Sequence, residues 1–377
     1  MAKGEIVYET LSSIGELDPL EAEWDELVRA MHKPSPFLLH GWVMAWLRHY
    51  ADDAEPAIHV ARRGDRLVAA LPFVVRRRWG LRLASFVGDD YPFVDVLLAS
   101  DEKLETARAL ANYAAQHHDS ASLGIISTES AIVEACGKRL RLVPRVGAPV
   151  LDISDSFEHA YYEKYSSKAR REHARRRRKL AELGKVEIDV ARTPGEIEVA
   201  LEDAFRLHAL RWEGRFDLSS FGTEQGARFH RDALKRLAES GAAQLLTLRL
   251  DGCAIAFRCN LTLCRRMFFY RSAFDPAYYG SAPGILSALE AIKRAAREGF
   301  TAIEFLGGNQ TYKLELADRV EQLYVGFGLA SGSRGILYSR MAAARLALLS
   351  QLKRLRPLYN FYVKRLGPHF LRLHRRR

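Results

Sequence analysis

The sequence predicts an α/β protein of two tandem domains, each a mixed β-sheet flanked by helices, followed by a basic helical C-terminal tail. Three observations support this. At ~150 residues per domain, 377 residues leave room for two cores. One order of elements, a hairpin followed by helix and strand, occurs in each half, and the hairpin glycines Gly64 and Gly252 lie half a chain apart. Positive charge gathers at one end. Apolar residues form 48% and charged residues 27% of the chain, which excludes disordered and fibrous classes.

Leu17, Leu20, Trp24, Leu27, Val28 and Met31 recur at spacings of three and four, so residues 17–31 read as an amphipathic helix. A second helix carries Trp42, Trp46 and Leu47. Residues 57–62 alternate apolar and polar, Gly64-Asp65 turns the chain, and residues 67–75 return as a mostly apolar strand. Residues 94–98 read as a strand, 103–117 as a helix and 123–126 as a short buried strand. In the second half, residues 243–250, the turn Asp251-Gly252, residues 254–263 and residues 267–273 read as three strands. Residues 284–298 then fit a helix, and 301–306 a buried strand ending at Gly307-Gly308. The expected divisions are a first domain over 1–153, a basic connecting helix over 154–183, a second domain over 184–333 and a basic amphipathic tail over 334–377.

The net charge of +11 is unevenly placed. Residues 334–377 hold twelve Lys and Arg and no acid, and no Asp or Glu follows Glu321. The remaining chain is close to neutral, which argues for one localised anionic partner and against DNA. The four cysteines, Cys136, Cys253, Cys259 and Cys264, form no C-x-x-C pair, so neither a disulfide framework nor a structural zinc is expected. No uncharged apolar run approaches the ~18 residues of a membrane span, and Met1-Ala2-Lys3-Gly4-Glu5 leads into no apolar segment. The expectation is a cytoplasmic protein.

Residues 161–183 are rich in helix formers and carry Lys164, Lys168, Arg170, Arg171, Arg175, Arg176, Arg177, Arg178 and Lys179. Such a helix either leaves a solvated face paired with acids or captures phosphate. Consecutive arginines point around most of a turn, so only some can meet one ligand, and after Tyr165 the run has no aromatic residue to stack a base.

No Ser-His-Asp signature, H-E-x-x-H, phosphate loop or G-x-G-x-x-G after a strand occurs. What remains is an aromatic strand from Phe268 that leads through Tyr278, Tyr279, Gly280, Ser281, Ala282 and Pro283 to Gly284. Ser281 fits an N-cap, Pro283 fits a first helical turn, and Gly280 and Gly284 allow close backbone approach. A helix start of this kind offers free N–H groups to a pyrophosphate, although an ordinary capped helix has the same residues.

Further on comes Ile303-Glu304-Phe305-Leu306-Gly307-Gly308-Asn309-Gln310-Thr311-Tyr312-Lys313. With Ser166-Ser167-Lys168-Ala169-Arg170-Arg171, Leu207-His208-Ala209-Leu210-Arg211-Trp212, the Trp24, Phe37 and Trp42 pattern and Leu71-Pro72-Phe73, the chain resembles the CelD-like, Fem-related branch of the GNAT acyltransferases up to about Gly328. The resemblance implies two GNAT-like domains and acyl transfer from acyl-CoA, or a related activated donor, to an amine, with no permanently bound cofactor. Members are often tied to bacterial envelope polysaccharide or lipid synthesis. The family's acid, Phe-Leu, Gly and Tyr-Lys fall on Glu304, Phe305-Leu306, Gly307 and Tyr312-Lys313. The family usually has Asp at the position of Glu304 and acids at those of Asn309 and Gln310, and of the wider GNAT donor loop only Gly284 is kept.

Attack on a thioester needs a neutral amine, donors for the developing oxyanion and an acid for the departing thiolate. Glu304 shares a strand face with Ala302 and Leu306, so it reads as a base or a buried ion-pair partner. Lys313 is a candidate for a phosphate or the oxyanion, Tyr270 for the thiolate, and His208, on an apolar helix, for catalysis or packing. Tyr279 to Gly284 are the expected donor contacts, and Arg211, Trp212 and Tyr312 the expected substrate contacts. No metal is expected.

Three functional classes follow: an acyl-CoA-dependent N-acyltransferase, a Fem-type aminoacyl-tRNA-dependent peptidyltransferase, and a non-catalytic envelope protein on a degenerate GNAT fold. The first is favoured over tRNA, because Fem-type proteins commonly carry a long helical arm and only one basic stretch of roughly 25 residues occurs here. In the tail, Ile336, Met341, Leu346, Leu349, Leu352 and Leu355 alternate with Arg345, Lys353, Arg354 and Arg356, followed by Phe361, Tyr362, Phe370 and Arg375-Arg376-Arg377. This reads as a peripheral anchor on an anionic membrane that brings a lipid-linked amine to the enzyme, or as a helix packed on the body.

Overall fold

A computed structural model describes residues 5–88, 91–153, 156–212, 220–308 and 310–354. The first half runs β1 (Ile6–Leu11), α1 (Ile14–Leu17), α2 (Glu21–Ala30), α3 (His40–Tyr50), β2 (Glu55–Arg63), β3 (Arg66–Arg78), β4 (Leu81–Phe86), β5 (Leu97–Leu98), α4 (Leu104–Ala114), β6 (Ser120–Ile126), α5 (Ala131–Cys136) and β7 (Leu140–Asp152). The chain continues through α6 (Phe157–Lys164), α7 (Ser167–Leu183), β8 (Val186–Ala191), α8 (Pro194–Trp212), α9 (Glu224–Glu239), β9 (Ala243–Leu250), β10 (Cys253–Leu263) and β11 (Arg266–Phe274). It ends with α10 (Pro283–Arg297), β12 (Ala302–Glu304), α11 (Thr311–Leu316), β13 (Arg319–Gly328) and α12 (Gly332–Arg354).

The expected repeat is present. Hairpins β2–β3 and β9–β10 each pair antiparallel with a third strand, β4 and β11, and a helix then leads to a strand parallel to it, β6 and β12. Asp251 (φ +48) and Gly252 (φ +80) both occupy the left-handed region, as a two-residue type I′ turn requires. The two half-sheets join into one, in the order β1-β2-β3-β4-β6-β13-β7-β12-β11-β10-β9-β8, with β5 on β3. Strand β13, from the end of the chain, lies between β6 and β7 of the first half, and β7 carries the sheet onward to β12.

The structure corrects several expected elements. The helix over 17–31 is a capped turn at Ser13, a 3₁₀ turn containing Pro19, and then α2. Only Leu97 and Leu98 of the 94–98 stretch pair as a strand. The connecting helix is two helices, because α6 ends at Tyr165 and the Ser166 side chain caps α7 by accepting the Ala169 N–H at 3.2 Å. Buried Trp24, Phe37, Trp42, Phe73, Phe86 and Phe229 fill one side of the sheet, while Leu151, Phe269, Ile303 and Phe305 face Ala288 and Ile292 of α10 on the other. Trp42 crosses between the halves, with ring centroids 5.0 Å from Phe229 and 5.4 Å from Tyr270.

Helix α12 spans most of the expected tail helix; residues 355–377, including Leu355, Arg356, Phe361, Tyr362, Phe370 and Arg375 to Arg377, lie outside the described residues. It meets the sheet through small residues. Ser339 and Ala343 are buried, and a Cβ on Gly335 would fall 2.0 Å from the Asp119 carbonyl oxygen. Ile336, Leu337, Met341 and Leu348 are exposed, beside exposed Trp79, whose ring lies 6.0 Å from that of Tyr338.

Candidate active site

Strands β11 and β12 pair over only three residues, Arg266 to Phe268 with Ala302 to Glu304. Beyond them β11 runs on to Phe274, while the other strand turns away through Phe305, whose N–H donates to Pro149 of β7 at 3.0 Å, and through Leu306 at φ +57. The strands therefore splay into a slot, and α10 starts at its open end.

Ser281 is buried and is not the N-cap of α10. That place is taken by Ala282 in the left-handed conformation (φ 47, ψ 54), with no side-chain cap. Residues 276–281 form a 3₁₀ turn fixed by the Asp275 carboxylate, which accepts the Ala277 N–H at 2.9 Å; this geometry sets Ala282 where Ser281 was expected. The first turn of α10 thus keeps donors that no side chain satisfies. A Cβ on Gly284 would come 3.1 Å from the Phe274 ring, so this glycine lets the helix lie close on β11. Lys179 of α7 reaches the loop, its Nζ 3.5 Å from the place of a Cβ on Gly280. Tyr279 is exposed, its ring 6.3 Å from that of Phe274.

Three cations surround this slot, and two of them were not foreseen. Arg258 of β10 is 2% exposed, donates to the Gly284 carbonyl at 3.2 Å and lies 4.4 Å from the centre of the Phe269 ring. Arg271 of β11 stands 4.8 Å from the Tyr270 ring. The Nε of each arginine is buried without a partner. Lys313 of α11 is buried, with Nζ donating to the Phe305 carbonyl at 2.7 Å. Burial pushes its amine down to about 8, and the charges of Arg258 and Arg271 act in the same direction. Among the described residues no carboxylate pairs with any of the three. Buried charge without a counter-charge is costly, and an anion in the slot would relieve that cost. One signal in the sequence pointed to it: Arg258 is the only charged residue in β10, a strand buried from Ala254 onward.

The other predicted residues divide between neighbouring places. Glu304 is fully buried and takes hydrogen bonds from both Nε and Nη2 of Arg266 on one oxygen, leaving Oε2 without a partner. Lys33, paired with Glu321, feels the Glu304 charge; burial pulls its amine down to about 8. Tyr270 is buried with its hydroxyl 2.7 Å from His230 Nε2 and 3.4 Å from the Tyr91 hydroxyl. His230 Nδ1 lies 2.5 Å from the Gly226 carbonyl, which only an N–H can satisfy, so Nε2 accepts the Tyr270 proton. Burial drives His230 down to about 3, keeping it neutral. Sequence reasoning missed this histidine.

His208 is buried beneath Trp212, with which it stacks at 5.8 Å, and burial lowers it to about 4; its Nδ1 has no partner. Arg211 lies over the Phe274 ring at 5.1 Å, next to the turn over 276–281. Tyr312 meets Phe305 edge-on at 6.2 Å, and Asn309 lies outside the described residues. Among the described residues no three His, Cys, Asp or Glu side chains group to hold a metal.

Residues 167–314, which include the slot, the start of α10 and all three cations, match the acetyltransferase (GNAT) domain family. The chain carries a GNAT transferase domain. Solved structures resemble this protein along most of its length. FemX matches with a TM-score of 0.60 at 10% identity, over 87% of this chain and 97% of its own. The C-terminal domain of a protein described as a lysylphosphatidylglycerol synthetase, from Agrobacterium fabrum, matches with a TM-score of 0.56 at 12% identity, over 89% and 95%. A conserved protein of unknown function from Bacteroides thetaiotaomicron matches with a TM-score of 0.52 at 14% identity, over 86% and 100%. At such identities the likeness is one of fold. No curated protein sequence matches the chain.

Proposed function

We propose that the protein is an N-acyltransferase that moves an acyl group from acyl-CoA to an amine, in cell-envelope lipid or polysaccharide synthesis. The observation that carries this is the uncompensated cluster of Arg258, Arg271 and Lys313 around a slot that opens at the start of α10. The N–H groups of α10 and Arg258 would take the donor's diphosphate, with the thioester reaching into the slot. The acceptor nitrogen attacks the thioester carbonyl; the N–C bond forms and the C–S bond breaks. Oε2 of Glu304, free because Arg266 holds only Oε1, takes the amine proton. Lys313 steadies the oxyanion, and Tyr270 protonates the thiolate by turning its O–H from His230 Nε2 to the departing sulfur; the proton held by Glu304 restores the tyrosine through solvent once the products leave. Arg211, Trp212 and Tyr312 would border the acceptor.

A second reading keeps the slot but changes the donor to an aminoacyl-tRNA. It is favoured by basic α7, whose Lys179 sits against Gly280 of the donor loop, and by the FemX-like fold. Part of the basic face is already paired, since Glu172 holds Arg175 and Arg176 at 2.8 Å. Incubation of the full chain with labelled acetyl-CoA or labelled aminoacyl-tRNA, each with an amine mixture, tests the choice. Transfer from acetyl-CoA alone is expected; transfer from aminoacyl-tRNA alone would replace the first reading by the second.

The acceptor is proposed to be a lipid-linked amine met at a membrane surface. Among the described residues no helix is long and apolar enough to cross a membrane. Helix α12 instead exposes Leu337, Met341 and Leu348 next to Trp79, in a segment whose charges are all positive. Each Lys or Arg near an anionic surface contributes ~1 kcal/mol. The full chain should sediment with anionic vesicles at low salt and be released by high salt; a chain ending at Ser333 that binds equally well would remove the anchor.

A further inference from the structure

A cavity of about 760 Å³ lies between α6, α7 and α10 and the strands β8 and β9, away from the cation cluster. Its floor is hydrocarbon: Leu180, Leu248 and Leu289, with Val186, Ile188 and Leu286 left half-exposed. Its mouth is cationic. Arg170 is tied to the Tyr162 and Tyr165 carbonyls, Lys185 to Glu187, and Glu290 to Arg294. Arg177 and Lys293 also line the cavity and have no ion-pair partner among the described residues.

The lining selects the occupant. No Asn, Gln, Ser or Thr side chain borders the cavity, and the Tyr161 hydroxyl is already 3.1 Å from His173 Nδ1. Little is left to read the edges of a purine or a sugar, whereas an aliphatic floor below unpaired cations matches a chain with a charged head. The volume is that of a small-molecule site, too confined for a folded partner. We propose that this cavity holds the hydrocarbon chain of a single-chain anionic amphiphile, with its carboxylate or phosphate head at Arg177 and Lys293. This assignment does not depend on which donor the slot uses.

Calorimetric titration of the full chain with laurate, dodecyl phosphate and the uncharged dodecyl maltoside, all below their micelle concentrations, tests it. Laurate or dodecyl phosphate should bind more tightly than the maltoside, and the better of the two identifies the head group. Decanoate should bind roughly 15-fold more weakly than laurate, at about fourfold per methylene. Ala181→Trp, at an exposed helix position lining the cavity, should keep the melting temperature and weaken laurate at least tenfold. Arg177→Glu with Lys293→Glu should weaken laurate and spare the maltoside. The proposal fails if neither anionic amphiphile binds, if Ala181→Trp binds laurate as the parent does, or if adenosine 3′,5′-bisphosphate displaces laurate.

Discussion

The two halves contain the same splayed pair of strands, put to opposite uses. In the first half β4 and β6 pair over three residues, as β11 and β12 do, and then part. There the chain fills its own slot: Pro92 bridges in parallel to Ile125, and Phe93 donates its N–H to Ile125 at 2.9 Å. The charges are reversed too. Asp95 accepts N–H groups from Val96, Ala131 and Ile132, burial raises it to about 7, and Glu129 and Glu134 line the adjoining cavity of about 610 Å³. In the second half no strand occupies the splay among the described residues, and cations surround it. A filled slot makes a wall, and an open one leaves room for the proposed donor. The first half accordingly presents Phe37, Trp42 and Tyr91 to Tyr270.

The largest effect expected from this contrast is chemical. Glu304→Gln should lower turnover by ~10²- to 10⁴-fold, as loss of general-base help does, measured at a temperature where the variant is still folded, since it also leaves Arg266 without its counter-charge. Full turnover in that protein would make Glu304 a partner of Arg266 and nothing more.

Next come the cations. Arg258→Gln or Arg271→Gln should weaken donor binding by roughly 10- to 100-fold, the range of a lost hydrogen bond to a charged group. Glu129→Gln, beside the filled slot, should leave it unchanged. Equal losses on both sides, read by calorimetry, would erase the distinction between the halves.

Titration of Lys313 gives a smaller effect. Its amine is held at about 8, so above that pH the free slot loses one positive charge. Donor affinity should fall with rising pH beyond about 8, by at most tenfold per unit, and Lys313→Arg should flatten the profile. Without donor, the stability effect has the opposite sign. A depressed lysine is deprotonated in the folded state while the unfolded chain still holds the proton, so stability rises between about 8 and the ordinary lysine value.

Acid should affect both halves alike. Burial depresses His59 to about 3 and His118 to about 4 in the first half, and His230 to about 3 in the second. Each stays neutral in the fold while the unfolded chain protonates below ~6.5, so stability is lost as pH falls, by about 1.4 kcal/mol per unit for each histidine. One sheet spans both halves, so a single melting transition should move down between pH 7 and pH 5. Two separate transitions would show that the filled half stands alone.

Much of the fold was legible because its signals are local. Asp251-Gly252 and Gly64 punctuate hairpins, and Pro283 marks the start of α10 within one residue. What was missed depends on distance in space. Strand β7 contains Pro144, Gly147 and Pro149, which weaken any strand pattern, yet it is paired along both edges. Arg271 stood in plain view within an aromatic run, and only the folded chain shows that no acid among the described residues pairs with it. His230 belongs to a helix 40 residues from Tyr270, and no spacing rule links them. The site was read where one segment carries it and lost where β10, β11, α9 and α11 must meet.

The position of β13 also governs the order in which the molecule can be made. On the ribosome, residues 1–153 emerge early, but in the finished sheet β6 and β7 are joined through residues 319–328, which are made much later. Until then each presents an open edge, with its backbone unpaired, to any neighbouring strand. Closure over so long a separation is slow, and exposed edges invite association meanwhile. A nascent chain stalled before Arg319 should therefore lean on chaperones, and the final strand acts as a latch that commits both halves at once.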